Sequence, residues 1–181
     1  HILVGGRGRE TVHLINKEII PYTFSFDSAS LQTGDVEPEL ILKPMSGTID
    51  PQSELPIEII FAPKHEKSFN FNVACNVKKK PSNVVLNIKG EGFAVHDSLL
   101  AERADGQMVE FAARAPNAMD FGEVQINETP ERKLVLVNSG RHNFDFLWTL
   151  PGHPFLELVP KLGTVGHGES VECKIRFNPK R

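Results

Sequence analysis

Apolar and polar residues alternate along most of this chain. Val12, Leu14 and Asn16 fall on one face of an extended segment, with His13 and Ile15 on the other. Tyr22, Phe24 and Phe26 alternate with Thr23 and Ser25. Leu55, Ile57, Ile59 and Phe61 alternate with Pro56, Glu58 and Ile60, and Phe69, Phe71, Val73 and Cys75 alternate with Asn70, Asn72 and Ala74. Val84, Leu86 and Ile88 repeat the pattern. A period of two puts one set of side chains on a core and the other toward water, which predicts strands rather than helices. Between the runs lie turn formers. Pro44-Met45-Ser46-Gly47 and Pro160-Lys161-Leu162-Gly163 predict chain reversals, and Ala62-Pro63-Lys64 and Asn178-Pro179-Lys180 predict strand ends, because proline offers no ladder donor. Short strands closely spaced by such turns predict an all-β sandwich.

The pattern occurs twice. Residues 40–64 and 156–180 align at an offset of 116 with nine identities in 25 positions, among them Leu40/Leu156, Pro44/Pro160, Gly47/Gly163, Ile59/Ile175 and Phe61/Phe177. Upstream, residues 12–26 align with 134–148 at an offset of 122, which sets Asn16 on Asn138 and Tyr22, Phe24 and Phe26 on Phe144, Phe146 and Trp148. The difference of six is an insertion in the first copy within the polar stretch 28–38, expected to be a loop. The expected organisation is two tandem immunoglobulin-like β-sandwich domains, both truncated. The first spans 1–95 and lacks its first strand; a linker covers 96–106; the second spans 107–181 and lacks its last strands. Within the linker, Ser98 to Arg103 could form a helical turn, and Gln107 to Ala112 is expected to be the second copy's first strand. A repeat of domain size points to architecture before chemistry.

Composition narrows the classes. Of 181 residues, 40% are apolar, enough for real cores. Residues 1–95 carry 10 basic and 11 acidic side chains and residues 96–181 carry 10 and 12, so neither half has the charge of a general nucleic-acid binder. No apolar run reaches the length that crosses a bilayer as a helix, and no secretory segment opens the chain. The two cysteines, Cys75 and Cys173, fall in different copies and at different repeat positions, so a within-domain bridge is not expected and a reducing compartment fits better.

Candidate chemistry is sparse. The seven histidines show no metal-ligand spacing; His153 and His167, both in loops of the second copy, are the pair that could approach each other. Gly5-Gly6-Arg7-Gly8 precedes a strand rather than a helix and reads as a bend, not a phosphate loop. Lys78, Lys79 and Lys80 form the one sharp charge run, on the tip of a predicted hairpin; they are the candidate contact for an acidic partner surface. Asn16 and Asn138 are read as structural residues at strand ends. The expected core is Tyr22, Phe24, Phe26 and Phe61 in the first copy and Phe144, Phe146, Trp148 and Phe177 in the second. No catalytic, metal-binding or cofactor-binding residue is expected.

These motifs, taken together, resemble the ASH-type immunoglobulin-like domain, a relative of the major sperm protein and pilus-chaperone sandwiches. The resemblance rests on Asp120-Phe121-Gly122-Glu123-Val124, the run Lys133 to Asn138, the two Pro…Gly-Thr turns, Ile59-Ile60-Phe61-Ala62-Pro63 with Ile175-Arg176-Phe177-Asn178-Pro179, and Leu86-Asn87-Ile88-Lys89-Gly90-Glu91-Gly92. Long arrays with this pattern resemble giant scaffolds of motile cilia. That resemblance implies a non-enzymatic structural role in the cytoplasm and cytoskeleton, at the ciliary axoneme beside the central-pair microtubules. The implied partners are other proteins of a microtubule assembly and neighbouring domains of the same chain, with no nucleic acid and no membrane insertion. An alternative is an adaptor that binds acidic peptide motifs through a basic face. Only residues 78–80 are strongly basic here, so that activity is not carried over from the resemblance.

Overall fold

A computed structural model of the chain describes residues 1–31 and 37–180. The chain divides into two compact units, His1–Ala94 and Val95–Arg181. Strands dominate both; the one helical element described is a single 3-10 turn, Ser28–Leu31. No described helix is long and apolar enough to cross a membrane.

The first unit contains β1 (Ile2–Leu3), β2 (Gly8–Asn16), β3 (Tyr22–Phe26), β4 (Leu40–Lys43), β5 (Ser46–Ile49), β6 (Ser53–Phe61), β7 (Ser68–Val77) and β8 (Val84–Phe93). Three strands form one sheet in the order β2-β6-β4, and five form the other in the order β1-β8-β7-β3-β5. The alternation seen in sequence decides which side chains lie between them. Phe69, Phe71, Val73 and Cys75 of β7 are buried while Ser68, Asn70 and Asn72 are exposed. They meet Ile57 and Ile59 of β6 and Leu40 and Leu42 of β4 in one core, with Phe24 and Phe26 of β3. The rings pack edge-on, Phe24 to Phe26 at 5.7 Å and Phe61 to Phe69 at 5.2 Å between centroids, a geometry that favours the positive ring edge over the negative face. The Gly5–Gly8 segment is the bend between β1 and β2, with Gly5 at φ +85°, a conformation that suits a residue without Cβ. The expected loop at 28–38 falls partly outside the described residues; the 3-10 turn at its start buries Leu31.

The second unit contains β9 (Asp97–Glu102), β10 (Met108–Phe111), β11 (Glu131–Asn138), β12 (Phe144–Leu147), β13 (Leu156–Val159), β14 (Leu162–Val165) and β15 (Ser170–Phe177). Five form the sheet β10-β9-β11-β15-β13, and among the described residues β12 pairs only with β14. The repeat is reproduced in register. Val12 lies opposite Ile57 in the first unit, and Leu134 lies opposite Cys173 in the second. Both copies turn through a cis X-Pro bond, Lys43-Pro44 and Val159-Pro160.

The segment 96–106 differs from the linker with a helical turn expected there. Asp97–Glu102 is strand β9, and it pairs with β11, Ala101 opposite Leu134. Ala101 is buried in the second unit's core and Leu99 packs against that core. Adjacent Leu99 and Leu100 hide the period-two signal in so short a run. The ladder on both flanks, β10 on one side and β11 on the other, satisfies its backbone. The second unit therefore begins with β9 rather than with Gln107 to Ala112, of which Met108–Phe111 forms β10. Residues 119–123 are irregular, with the Gly122 N–H donating to Asp120 Oδ1 at 2.8 Å and Phe121 packed on Phe177 at 5.6 Å.

Among the described residues the two units lack opposite strands. In the second, β9 lies along the outer edge of β11; no strand holds that place on β2. In the first, β7 lies along the outer edge of β3; no strand holds that place on β12.

Candidate docking surfaces

The polar residues the repeat shares hold the fold together. Asn16 ends β2 and is buried; its side-chain amide donates to the carbonyls of Ile20 (2.8 Å), Ile49 (3.0 Å) and Asp50 (3.1 Å), and its oxygen accepts from the Glu18 N–H at 3.0 Å. Asn138 repeats this at the end of β11, donating to His142 (2.8 Å) and Val165 (3.1 Å) and accepting from the Gly140 N–H at 2.9 Å. An amide offers donors and an acceptor together, so one side chain satisfies the carbonyls of two separate segments.

One buried acid went unnoticed in the sequence. Glu39 is fully buried, and its Oε1 accepts from the Lys64 N–H at 2.7 Å and lies 3.0 Å from His65 Nδ1. It fixes the exit of β6 after Pro63. At the repeat offset its counterpart is Phe155, so the copy gave no signal for it.

Residues 78–80 form the tip between β7 and β8, as the turn residues predicted. The Lys78 N–H donates to the Thr23 carbonyl at 2.9 Å, Lys79 takes φ +69°, and all three lysines are exposed. The Lys80 ammonium sits 5.0 Å from the centroid of the Tyr22 ring, a cation–π contact. Beside it a cleft of about 310 Å³ runs between the sheets, lined by Ile15, Phe24, Val77, Lys80 and Val84 among others. Ile15, Val84 and Val85 are exposed.

The eight aromatic positions differ in burial. Phe24 and Phe26 are buried, at 1% and 7% exposure. Phe61, Phe146 and Trp148 are half-buried and pack against their cores. Tyr22, Phe144 and Phe177 lie outside both clusters of core side chains. Tyr22 and Phe144 begin their strands at the end of each sandwich, and Phe177 packs at a tilt against Phe121 instead. The second unit's aromatics stay half open because nothing among the described residues lies where β7 covers β3. On the outer face of β12 and β14, Leu147 and Leu162 stand opposite each other and exposed, where the first unit has Ser25 opposite Ser46. No repeat argument anticipated this pair, because it breaks the repeat.

The histidines singled out from sequence do different things. His167 Nδ1 bonds the Gly140 carbonyl, while His153 lines a cleft beside Trp148. Both cysteines are free and buried, and burial pushes the Cys75 thiol above its usual pKa. On the exposed face of β11 and β15, the hydrogen bond from Arg176 and the nearby Lys174 hold the Glu131 carboxyl below the usual range, and Glu131 raises Arg176 in turn.

Two tandem sandwiches of this kind define an Ig-like module. Residues 2–96 match the model of the CFAP74 fourth Ig-like domain, and residues 113–181 match that of the HYDIN/CFA65/VesB-like Ig-like domain. The chain belongs to this HYDIN/CFAP family of Ig-like domains. It is 36% identical to the hydrocephalus-inducing protein homolog of Homo sapiens over 98% of its own length, and 25% identical to cilia- and flagella-associated protein 65 of Chlamydomonas reinhardtii over 97%. It spans 4% and 8% of the lengths of those relatives. An MSP-domain protein like family member from Caenorhabditis elegans, 14% identical, covers 50% of this chain and 91% of its own, with a TM-score of 0.35.

Proposed function

We propose that this chain is a non-enzymatic scaffold module of a large ciliary protein, which spaces and docks partners in the axonemal central apparatus. The observation that carries this reading is the similarity to the hydrocephalus-inducing protein homolog over 98% of the chain. The geometry supports it. The shared asparagines are spent on backbone carbonyls, and exposed apolar side chains such as Leu147 and Leu162 offer surface suited to protein contact. Its partners are then proteins of a microtubule assembly and neighbouring domains, at the axoneme within the cytoskeleton. The test is crosslinking in isolated axonemes with a photoreactive residue at Leu162. Crosslinks to central-apparatus proteins are expected; crosslinks confined to soluble matrix proteins would overturn the reading.

A second reading, an adaptor for acidic peptides, is favoured by one observation: the exposed lysine tip beside an apolar cleft. It predicts that an acidic peptide with one apolar anchor binds the chain, and that reversing Lys78, Lys79 and Lys80 to Glu abolishes binding even at physiological salt. Binding that survives the reversal rules the adaptor out.

A further inference from the structure

One sheet face of the first unit carries almost no charge. It is the side of β1-β8-β7-β3-β5 that points away from the core. There β7 presents Ser68, Asn70, Asn72, Ala74 and Asn76. Beside it β3 presents Thr23 and Ser25, and β5 presents Ser46 and Thr48. Among the described residues no outward side chain of these three strands is charged, in a chain that is 24% Asp, Glu, Lys and Arg. On β8 the charges stand at one end, Lys89 opposite Asn70 and Glu91 opposite Ser68. The exposed face of β11 and β15 is different; it pairs Lys133 with Glu172 and Lys174 with Glu131. A surface that stays in water is ordinarily rich in charge. A surface that a partner covers sheds charge from its centre, because each buried charge would have to be desolvated.

The centre of the face is arranged like a contact. Ala74 and Val85 stand opposite each other, and Val85 is exposed. Beside this apolar pair, Asn87 Nδ2 donates to Asn70 Oδ1 at 2.7 Å and to Asn72 Oδ1 at 2.8 Å. Three amides are thus held in place in the free chain, which lowers the entropy lost on binding. Asn70 and Asn72 retain N–H donors and Asn87 retains its carbonyl acceptor. Ser46, Ser25 and Asn76 continue the polar surface in one row across three strands. Among the described residues the face has no ring for a base to stack on and no basic stripe for phosphates or an anionic membrane. Amides and hydroxyls, which both donate and accept, complement their own kind.

We propose that this face binds the same face of a second copy of the chain, in a two-fold dimer with Ala74 close to the axis. A two-fold contact brings one patch against itself, so the patch must be self-complementary. The chain carries a net charge of −3, and copies repel wherever acidic surfaces meet; here like charges do not meet. From Ser68 to Asn76 at about 3.4 Å per residue, and across four strands at about 4.8 Å, the face measures roughly 27 by 19 Å. Two such faces bury about 1,000 Å², the lower bound of a specific interface. That size suits a contact that forms and releases. The inference goes beyond the scaffold reading, since it adds a contact between two chains of the same kind.

The test is sedimentation equilibrium of the 181-residue chain over a concentration series reaching about 1 mM. A monomer–dimer equilibrium is expected. Ala74→Lys and Ala74→Asp each set two like charges against each other at the axis, and each is expected to weaken association about tenfold or more. Residue 74 lies on the outer face, so both variants are expected to keep the circular dichroism of the wild type. An equimolar mixture of the two variants is expected to associate better than either alone, because opposite charges then meet across the axis. The proposal is overturned if the wild type stays monomeric throughout, or if the two variants associate as it does. The second result would place any association on another surface. A mixture no better than its components also overturns it, since the face would not be meeting its own copy. The axoneme crosslinks from Leu162 probe the other unit, so the two readings fail separately.

Discussion

Replacing Asn138 with Ala removes an amide that ties three segments of the second unit together. Its side chain donates to His142 at 2.8 Å and to Val165 at 3.1 Å and accepts from the Gly140 N–H at 2.9 Å. Val165 is fully buried, so water cannot readily replace the lost donor at its carbonyl. The lost bond at the part-buried His142 carbonyl costs about 1 kcal/mol, and each buried group left unsatisfied, the Val165 carbonyl and the Gly140 N–H, about 1–3 kcal/mol. The sum is about 3–7 kcal/mol, a large share of a small domain's stability of about 5–15 kcal/mol. Asn138→Asp is the sharper variant. It keeps the acceptor for Gly140 but sets a buried carboxylate against two carbonyl oxygens, so it should destabilise at least as much as alanine. Trp148 lies in the same unit and reports its unfolding. With a urea m-value of about 1–2 kcal/mol/M, the Trp148 midpoint should fall by about 1.5–7 M or the unit should be unfolded in buffer. Asn16→Ala, which loses four bonds rather than three, should show an equal or larger loss by circular dichroism. A midpoint within 0.3 M or so of wild type for both Asn138 variants would refute the reasoning, since that corresponds to less than about 0.6 kcal/mol.

Phe24→Ala should cost about 3–5 kcal/mol by thermal or urea melts, whereas half-buried Phe146→Ala should cost about 1–2 kcal/mol; equal losses would mean that β12 is covered after all. Cys75 and Cys173 should resist a thiol reagent in the native chain at neutral pH and react fully in urea, because both are buried and the Cys75 pKa is raised; rapid native labelling would contradict this. Glu131 has its pKa lowered in the folded state, so its contribution is present above the ordinary value of 4.5 and is lost as pH falls through the lower folded value. The stability difference between wild type and Glu131→Gln should therefore exist at neutral pH, vanish in acid and shrink with added salt, all measurable by urea melts across pH.

The sequence by itself determined the local plan. Alternation placed Phe69, Phe71, Val73 and Cys75 on the core face of one strand, and the duplicated Pro…Gly turns and Asn16/Asn138 fixed where strands stop. These features are legible because they depend on the two-residue strand period and on turn geometry, both local properties of the chain. The lysine tip was legible for the same reason. Strand β9 was not, because adjacent Leu99 and Leu100 carry no clean period and the segment is a strand only through its partners β10 and β11. Burial of Glu39 and the exposed Leu147–Leu162 pair were equally hidden, since neither follows the repeat. Most of all, tertiary structure decided which sheet edges are occupied. Phe24 and Phe146 hold the same place in the repeat, yet one is sealed and the other half open, because burial depends on the strand that pairs alongside and not on the residue itself.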